Sequence, residues 1–307
     1  MHKTVFEIKT QVPFRLDFTV WVLRRREKNI VDGWDGQFYQ RVLEIDGQLV
    51  AVKAQQAGAK SAPKIKVELT AKSEISAKAQ LKIEKIISKM LGLNINLKLF
   101  YLIASKNPIV SELALKFYGM RPTRYPTVFE ALINAVACQQ VSLDAGIAIL
   151  NRLIKNYGAS MKVDGCTHYA FPTPENLINI SDEEFKQVGF SRQKAKTIRN
   201  IALGVVNNGI ALEKLEDLNN PMALEYLRSF HGIGRWSAEY VLLRGLGRLD
   251  VFPGDDVGGQ NNLQKLFGLS SRPGYDQSKF QVNKFHPYEG LIYFYMLLNK
   301  LYKNGAV

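Results

Sequence analysis

The stretch Leu227–Gly259, LRSFHGIGRWSAEYVLLRGLGRLDVFPGDDVGG, restricts what this chain can become more than any other. Leu224, Leu227 and Phe230 recur at helical spacing over Met222–Phe230, and Pro221 suits the opening turn of that helix, where a missing N–H costs nothing. Gly232 and Gly234 end it. Glycine at both positions admits a left-handed turn and removes side chains that would hold another chain off the backbone. Helical periodicity resumes at Arg235 and runs through Trp236, Tyr240, Leu243 and Arg244. Gly234 and its neighbours therefore offer unpaired N–H groups at a helix start, where a phosphate is favoured. Behind the Pro253-Gly254 turn stand two adjacent carboxylates, Asp255 and Asp256, at the head of a third helix.

A chain of 307 residues, 46% of them hydrophobic, holds two or three compact units with a real core. The net charge of +13 suits a polyanionic partner, and the same lysine excess is consistent with ordinary solubility. The only cysteines are Cys138 and Cys166, which excludes a disulfide framework and a four-cysteine iron-sulfur cluster. Each reads as a buried small hydrophobe or a bystander. No set of His, Cys and carboxylate side chains has the spacing of a catalytic metal site. MHKTVFEIKTQVPF lacks an apolar signal core, and no run approaches the roughly 18 apolar residues of a membrane span. The expectation is a soluble intracellular protein.

Strand patterns dominate the N-terminal third: Phe14–Leu23, Phe38–Ile45, then Gln48–Ala54 after the Asp46-Gly47 turn, and Lys64–Thr70. Leu81, Ile83, Ile86, Ile87 and Met90 predict an amphipathic helix over Ser76–Leu91, closed by Gly92. Arg24, Arg25 and Arg26 read first as a solvated strand end and second as a phosphate contact. Beyond Lys106 the pattern is helical. Gly119–Thr127, with Pro122 and Pro126, reads as a crossing between helical units. Val128–Tyr157 predicts two helices joined by CQQVS, residues 138–142. Further helices follow over Glu175–Asn207, and another through Leu263, Leu266 and Phe267 ends at Gly268. SSRPGYDQ reads as a linker, and Pro287–Tyr302 as a last helix dense in aromatics, among them Tyr293 and Tyr295.

GIGRW, the aromatic Tyr240, LRG and DVFPGDD resemble the helix-hairpin-helix, Gly/Pro-Asp (HhH-GPD) superfamily of DNA glycosylases, and within it the 3-methyladenine DNA glycosylase II branch. The similarity is strong over about Phe129–Gly268 and weaker over the N-terminal third. It implies an α+β fold: an N-terminal antiparallel sheet domain with helices (1–103), then two all-α subdomains (104–126 with 250–307, and 127–249) forming a cleft, with the hairpin motif at 222–246. It implies an enzyme that flips an alkylated purine of the 3-methyladenine or 7-methylguanine type out of double-stranded DNA. Hydrolysis of the N-glycosidic bond then leaves an abasic site in base excision repair.

The residues alone leave Asp255 and Asp256 open as the working acid, and both as helix caps. The resemblance assigns catalysis to Asp256 and cap or loop support to Asp255. Trp236 and Tyr240, one helical turn apart, are the implied base-binding pair, since an electron-rich ring attracts an alkylated, cationic base. Strand-cleaving relatives carry a lysine at position 236, so a monofunctional enzyme is implied. Gln140 matches the residue that fills the gap left by the extruded nucleotide, where leucine is the expected occupant; its other reading is a helix-terminal glutamine bonded to backbone. Leu297 falls where a second pocket tryptophan is expected, and His231 replaces a proline before the hairpin. Gly232, Ile233, Gly234 and Arg235 are the implied DNA contacts. The carbonyls of Arg228, Phe230 and Ile233 are the implied ligands of a structural monovalent cation, with no further cofactor required. SRQKAKTIRNIA resembles the family's basic helix, which packs a core and helps position a strand. The remaining implications are a monomer, no membrane, and a place on the nucleoid. The altered residues at Gln140 and Leu297 keep open the same chemistry on oxidised or deaminated bases, and the charge keeps open a non-catalytic module that binds DNA or recognises damage.

Overall fold

In the computed structural model, which describes residues 1–307, Asp46 and Gly47 both take positive φ (51° and 78°). This is the tight two-residue hairpin geometry that an Asp-Gly pair favours. It sets the register from Ile45↔Gln48 to Tyr39↔Ala54. The surrounding strands are β1 (His2–Lys9), β2 (Gly33–Trp34), β3 (Tyr39–Ile45), β4 (Gln48–Ala59) and β5 (Ala62–Ala71), in the antiparallel order β1-β5-β4-β3-β2. Val50, Val52 and Ala54 on β4 and Ile65, Val67 and Leu69 on β5 line one face. That face is covered by α1 (Leu16–Arg24) and α2 (Ala77–Met90), whose Ser76 hydroxyl accepts the Ala79 N–H.

Residues 14–23 are helical from Leu16, not a strand. Most of the run is apolar because the helix lies between two cores, with Asp17 its partly exposed polar residue: Leu16, Val20 and Leu23 pack on the sheet, and Trp21 and Val22 on the C-terminal helices. The strand reading of β-branched and aromatic residues thus missed a helix wedged between two cores. Arg24 and Arg25 are buried rather than solvated, while Arg26 pairs with Asp144. Leu81 stands outside the predicted apolar stripe, 59% exposed.

The helical part comprises α3 (Lys98–Ala104), α4 (Pro108–Lys116), α5 (Val128–Cys138), α6 (Leu143–Tyr157), a hairpin β6 (Ser160–Val163) and β7 (Cys166–Tyr169), α7 (Pro174–Leu177), α8 (Asp182–Val188), α9 (Arg192–Asn207), α10 (Asn220–Ser229), α11 (Arg235–Arg244), α12 (Val257–Phe267), α13 (Tyr275–Asn283) and α14 (Glu289–Lys303). Helix α13 begins inside the stretch expected as a linker. One core joins α5, α6, α8, α9, α10 and α11, and a second joins α3, α4, α12, α13 and α14. Leu97 and Phe100 belong to the second, so the sheet core ends before Leu97 and position 103 falls within α3. Cys166 is exposed and Cys138 half-buried, so neither is a core residue.

The sheet is fastened to the first helical core by a buried charge cluster. Arg41 on β3 bridges Asp32 and, across the boundary, Glu130 on α5, and the Tyr39 hydroxyl donates to Asp32. Burial pushes the Glu130 carboxyl above its usual range, with Arg41 opposing the shift. No helix is long and apolar enough to cross a membrane.

Candidate active site

Asn219 caps α10 by accepting the Met222 N–H, and Pro221 sits in the first turn. The chain then turns at Gly232, whose φ is 86° and whose added Cβ would lie 2.0 Å from Thr197 Oγ1 on α9. Only glycine fits there. Gly234 departs from the expectation of a second left-handed residue: it is extended (φ −86°, ψ −179°) and caps α11 with no side chain. An added Cβ at Gly234 would meet nothing within 4 Å, so open space lies before the free amides of the α11 N-terminus. Gly232, Gly234 and Arg235 are exposed, whereas Ile233 is buried and anchors the turn. The Phe230 carbonyl accepts the Ile233 N–H at 3.0 Å, and the Arg228 and Ile233 carbonyls accept no backbone hydrogen bond. Oxygen-only donors of this kind fit a hard monovalent cation.

Asp256, not Asp255, is the N-cap of α12. Its Oδ2 accepts the Gly259 N–H at 2.7 Å and its Oδ1 accepts the Trp236 indole N–H at 3.2 Å. Asp255 instead forms a two-pronged ion pair with Arg235, at 2.7 and 3.0 Å, and the Arg235 guanidinium lies 3.6 Å from the Tyr275 ring. The Arg235 side chain is thereby occupied by Asp255, and its backbone N–H is the group left free at the α11 N-terminus. Burial pushes the Asp256 carboxyl above its ordinary value; the Gly259 N–H, the Tyr293 hydroxyl and the Trp236 N–H act against that shift, as does the Lys300 charge. The residue as a whole is half-buried.

Tyr293 is a site residue that the sequence placed near the pocket without a role. The Tyr293 ring and the Asp256 carboxylate both lie against Gly259, and the Tyr293 hydroxyl holds the Asp256 pKa down. Tyr293→Phe should therefore let the carboxyl protonate at higher pH and move the acid limb of a pH-rate profile upward, and an unmoved limb would exclude Tyr293 as a partner.

The rings of Trp236 and Tyr240 adjoin, tilted by 31° with centroids 5.5 Å apart, as their spacing predicts, but their surroundings differ. Trp236 is half-buried beside Asp256. Tyr240 is 3% exposed, and its hydroxyl meets Tyr125 Oη and Arg25 Nη1, both at 2.9 Å. Tyr240 therefore backs Trp236, and Trp236 is the more accessible ring of the pair. Arg25, held also by Asn134 Oδ1 at 2.7 Å, is a second residue that sequence reasoning missed; the run of three arginines gave no sign of which one turns inward. Leu297 is half-buried and packs against the second helical core.

The CQQVS loop sits against the hairpin. Gln139 ends α5 and bonds to it, while Gln140 is exposed with φ of 52°. The helix-terminal, backbone-bonded glutamine is thus residue 139. His231 is exposed and meets Gln193 at 3.0 Å. A cavity of about 260 Å³ lies elsewhere, against Arg41, Phe129 and Glu130.

A sheet, two helical cores and a glycine hairpin feeding a helix that faces a half-buried aspartate define a helix-hairpin-helix protein. Residues 133–287 match the HhH-GPD superfamily of base excision DNA repair proteins, and the chain belongs to that superfamily. The chain is 30% identical to a DNA-3-methyladenine glycosylase of Bacillus subtilis over 195 residues, 64% of each protein. It is 29% identical to DNA-3-methyladenine glycosylase 2 of Escherichia coli over 138 residues, 45% of this chain and 48% of that one. The chain thus spans less than two thirds of these relatives. A 3-methyladenine DNA glycosylase structure from Archaeoglobus fulgidus superposes with a TM-score of 0.83 at 25% identity, covering 97% of this chain and 98% of that one. The chain is also 29% identical to a 3-methyladenine DNA glycosylase of Schizosaccharomyces pombe solved in complex with abasic DNA, which covers 65% of this chain and 95% of that one at a TM-score of 0.56.

Proposed function

We propose that this protein is a monofunctional DNA glycosylase of the 3-methyladenine glycosylase II type. It takes an alkylated purine out of double-stranded DNA and hydrolyses its N-glycosidic bond, leaving an abasic site. The observation that carries the reading is the Asp256 carboxylate, fixed by Trp236 and Gly259 beside the hairpin-fed helix.

The free amides of Gly234 and Arg235 grip a phosphate beside the lesion, and Trp236 stacks on the extruded base. As the base leaves, the sugar gains positive charge, which Asp256 stabilises. At an effective dielectric near 20 and a separation of about 4 Å this contributes roughly 4 kcal/mol, on the order of 10³-fold in rate. The same carboxylate orients the attacking water. The carbonyls of Arg228, Phe230 and Ile233 would hold a monovalent cation, adding positive charge at the phosphate grip.

Methylated duplex DNA should yield free 3-methyladenine or 7-methylguanine and an alkali-labile site. With tryptophan at 236, borohydride should trap no covalent adduct; a trapped adduct at the native site would overturn the monofunctional assignment. Arg25 behind Tyr240 favours a second reading, since a buried guanidinium disfavours a cationic base relative to a neutral one bearing a carbonyl. A lesion panel including hypoxanthine and 8-oxoguanine distinguishes the two.

A further inference from the structure

The loop that presents Gln140 and the phosphate-gripping hairpin belong to different parts of the chain, yet three side chains lock them together. Gln139 Nε2 donates to the Gly232 carbonyl and to the Ser237 hydroxyl, both at 2.9 Å. One amide thus spans the turn of the hairpin and the first turn of α11, next to Trp236. Lys194 Nζ on α9 donates to the Gln139 carbonyl at 2.7 Å and the Ala137 carbonyl at 3.3 Å, covering the negative end of α5. Burial lowers the Lys194 pKa, so this cation gives up hydration to hold the loop. Thr197, almost one turn further along α9, is the residue against which Gly232 closes. Helix α9 thereby touches the loop with one residue and the hairpin with another.

The consequence falls on Gln140. It sits in the left-handed region, exposed, at a cost of roughly 1 kcal/mol or more for a residue with a Cβ. Such a conformation persists only where its neighbours hold it, and the two braced carbonyls before it do so. Val141 follows, 41% exposed. The braced loop ends in an outward tip made of a polar and an apolar side chain.

We propose that Gln139 and Lys194 are positioning residues for base extrusion: they hold the gap-filling tip, Gln140 with Val141, at a fixed distance from the phosphate grip, so that gripping the strand and filling the duplex are one event. The inference rests on the proposed glycosylase function. A flexible tip would lose ordering entropy on entering the stack, and the brace removes that loss in advance. The brace matters only when a base must be drawn from a duplex, because an unpaired base leaves little gap to fill.

The test compares excision of one alkylated purine from a duplex and from the same strand alone, in the wild type, Gln139→Met, Gln139→Glu, Lys194→Met and Lys194→Arg, after melting curves establish folding. A parallel measurement follows fluorescence of 2-aminopurine next to the lesion in an Asp256→Asn background, which reports extrusion without chemistry. The duplex to single-strand ratio of kcat/KM should fall at least tenfold in Gln139→Met. Gln139→Glu should fall equally, since a carboxylate of the same shape cannot donate to the Gly232 carbonyl. Lys194→Met should follow them and Lys194→Arg should restore most of the ratio. The fluorescence rise should shrink in the same order. Equal losses on both substrates, or no loss, would overturn the proposal. If the wild type frees no base while the fluorescence order holds, the glycosylase reading fails and the brace stands; if the wild type shows neither, both fail.

Discussion

Asp256→Asn should abolish base release, lowering kcat by on the order of 10³-fold, while affinity for lesion DNA stays within a few fold of the wild type. The amide keeps the shape and accepts the Gly259 N–H as an N-cap through its oxygen, but its NH2 cannot accept the Trp236 N–H, and it lacks the charge that the sugar cation needs. Stability should move the other way. Burial raises the folded-state pKa of Asp256 above its unfolded value, so ionisation opposes folding, fully above the folded pKa and not at all below the unfolded one. The variant should therefore melt higher than the wild type near pH 7, and the gain should vanish as the pH falls into the carboxylate range. Retained turnover would contradict the mechanism. A lower melting temperature at pH 7 would show that the carboxylate's bonds to Gly259 and Trp236 outweigh its desolvation.

Arg41→Met should destabilise the protein by about 3–5 kcal/mol, seen as a fall in Tm on the order of 5–15 °C. The substitution leaves Asp32 and Glu130 buried without their shared cation, and the two carboxylates then repel one another. Burial already holds the Glu130 carboxyl above its usual range, and losing Arg41 removes the charge that opposes that shift, so the penalty is present above the unfolded carboxylate range and shrinks as the pH falls and Glu130 takes up a proton. The Tm difference from the wild type should narrow between pH 7 and pH 4.5. A difference that does not change with pH would assign the loss to packing. Because Arg41 joins β3 to α5, the damage should reach the attachment of the sheet before the site itself. DNA binding should outlast the sheet's protection from hydrogen exchange.

Much of the hairpin was legible because its signals are local. Pro221, Gly232 and the periodic Leu224, Leu227 and Phe230 act within one turn of the chain, and α10, the turn and α11 follow from them. The same holds for Asp46-Gly47 and for α2 with its Ser76 cap. Helix α1 was not legible, since a helix wedged between two cores shows only a narrow polar edge to set its period, and its branched and aromatic residues imitate a strand. Nor did sequence say which of two neighbouring aspartates closes the helix: cap and ion pair suit either, and the positions of Trp236 and Arg235 on α11 decided it.

The sequence by itself determined the elements whose causes lie within a few residues: the glycine turn, the acid pair behind Pro253-Gly254, the absence of lysine at 236 and the basic balance of the chain. Only the tertiary structure decided which partners those residues meet. It set Asp256 against Trp236 and Tyr293, turned Arg25 inward under Tyr240, and tied Gln139 to Gly232 across 93 positions of sequence. Such pairings depend on how separately formed helices pack, and packing is a property of surfaces brought together in space, which no local pattern encodes.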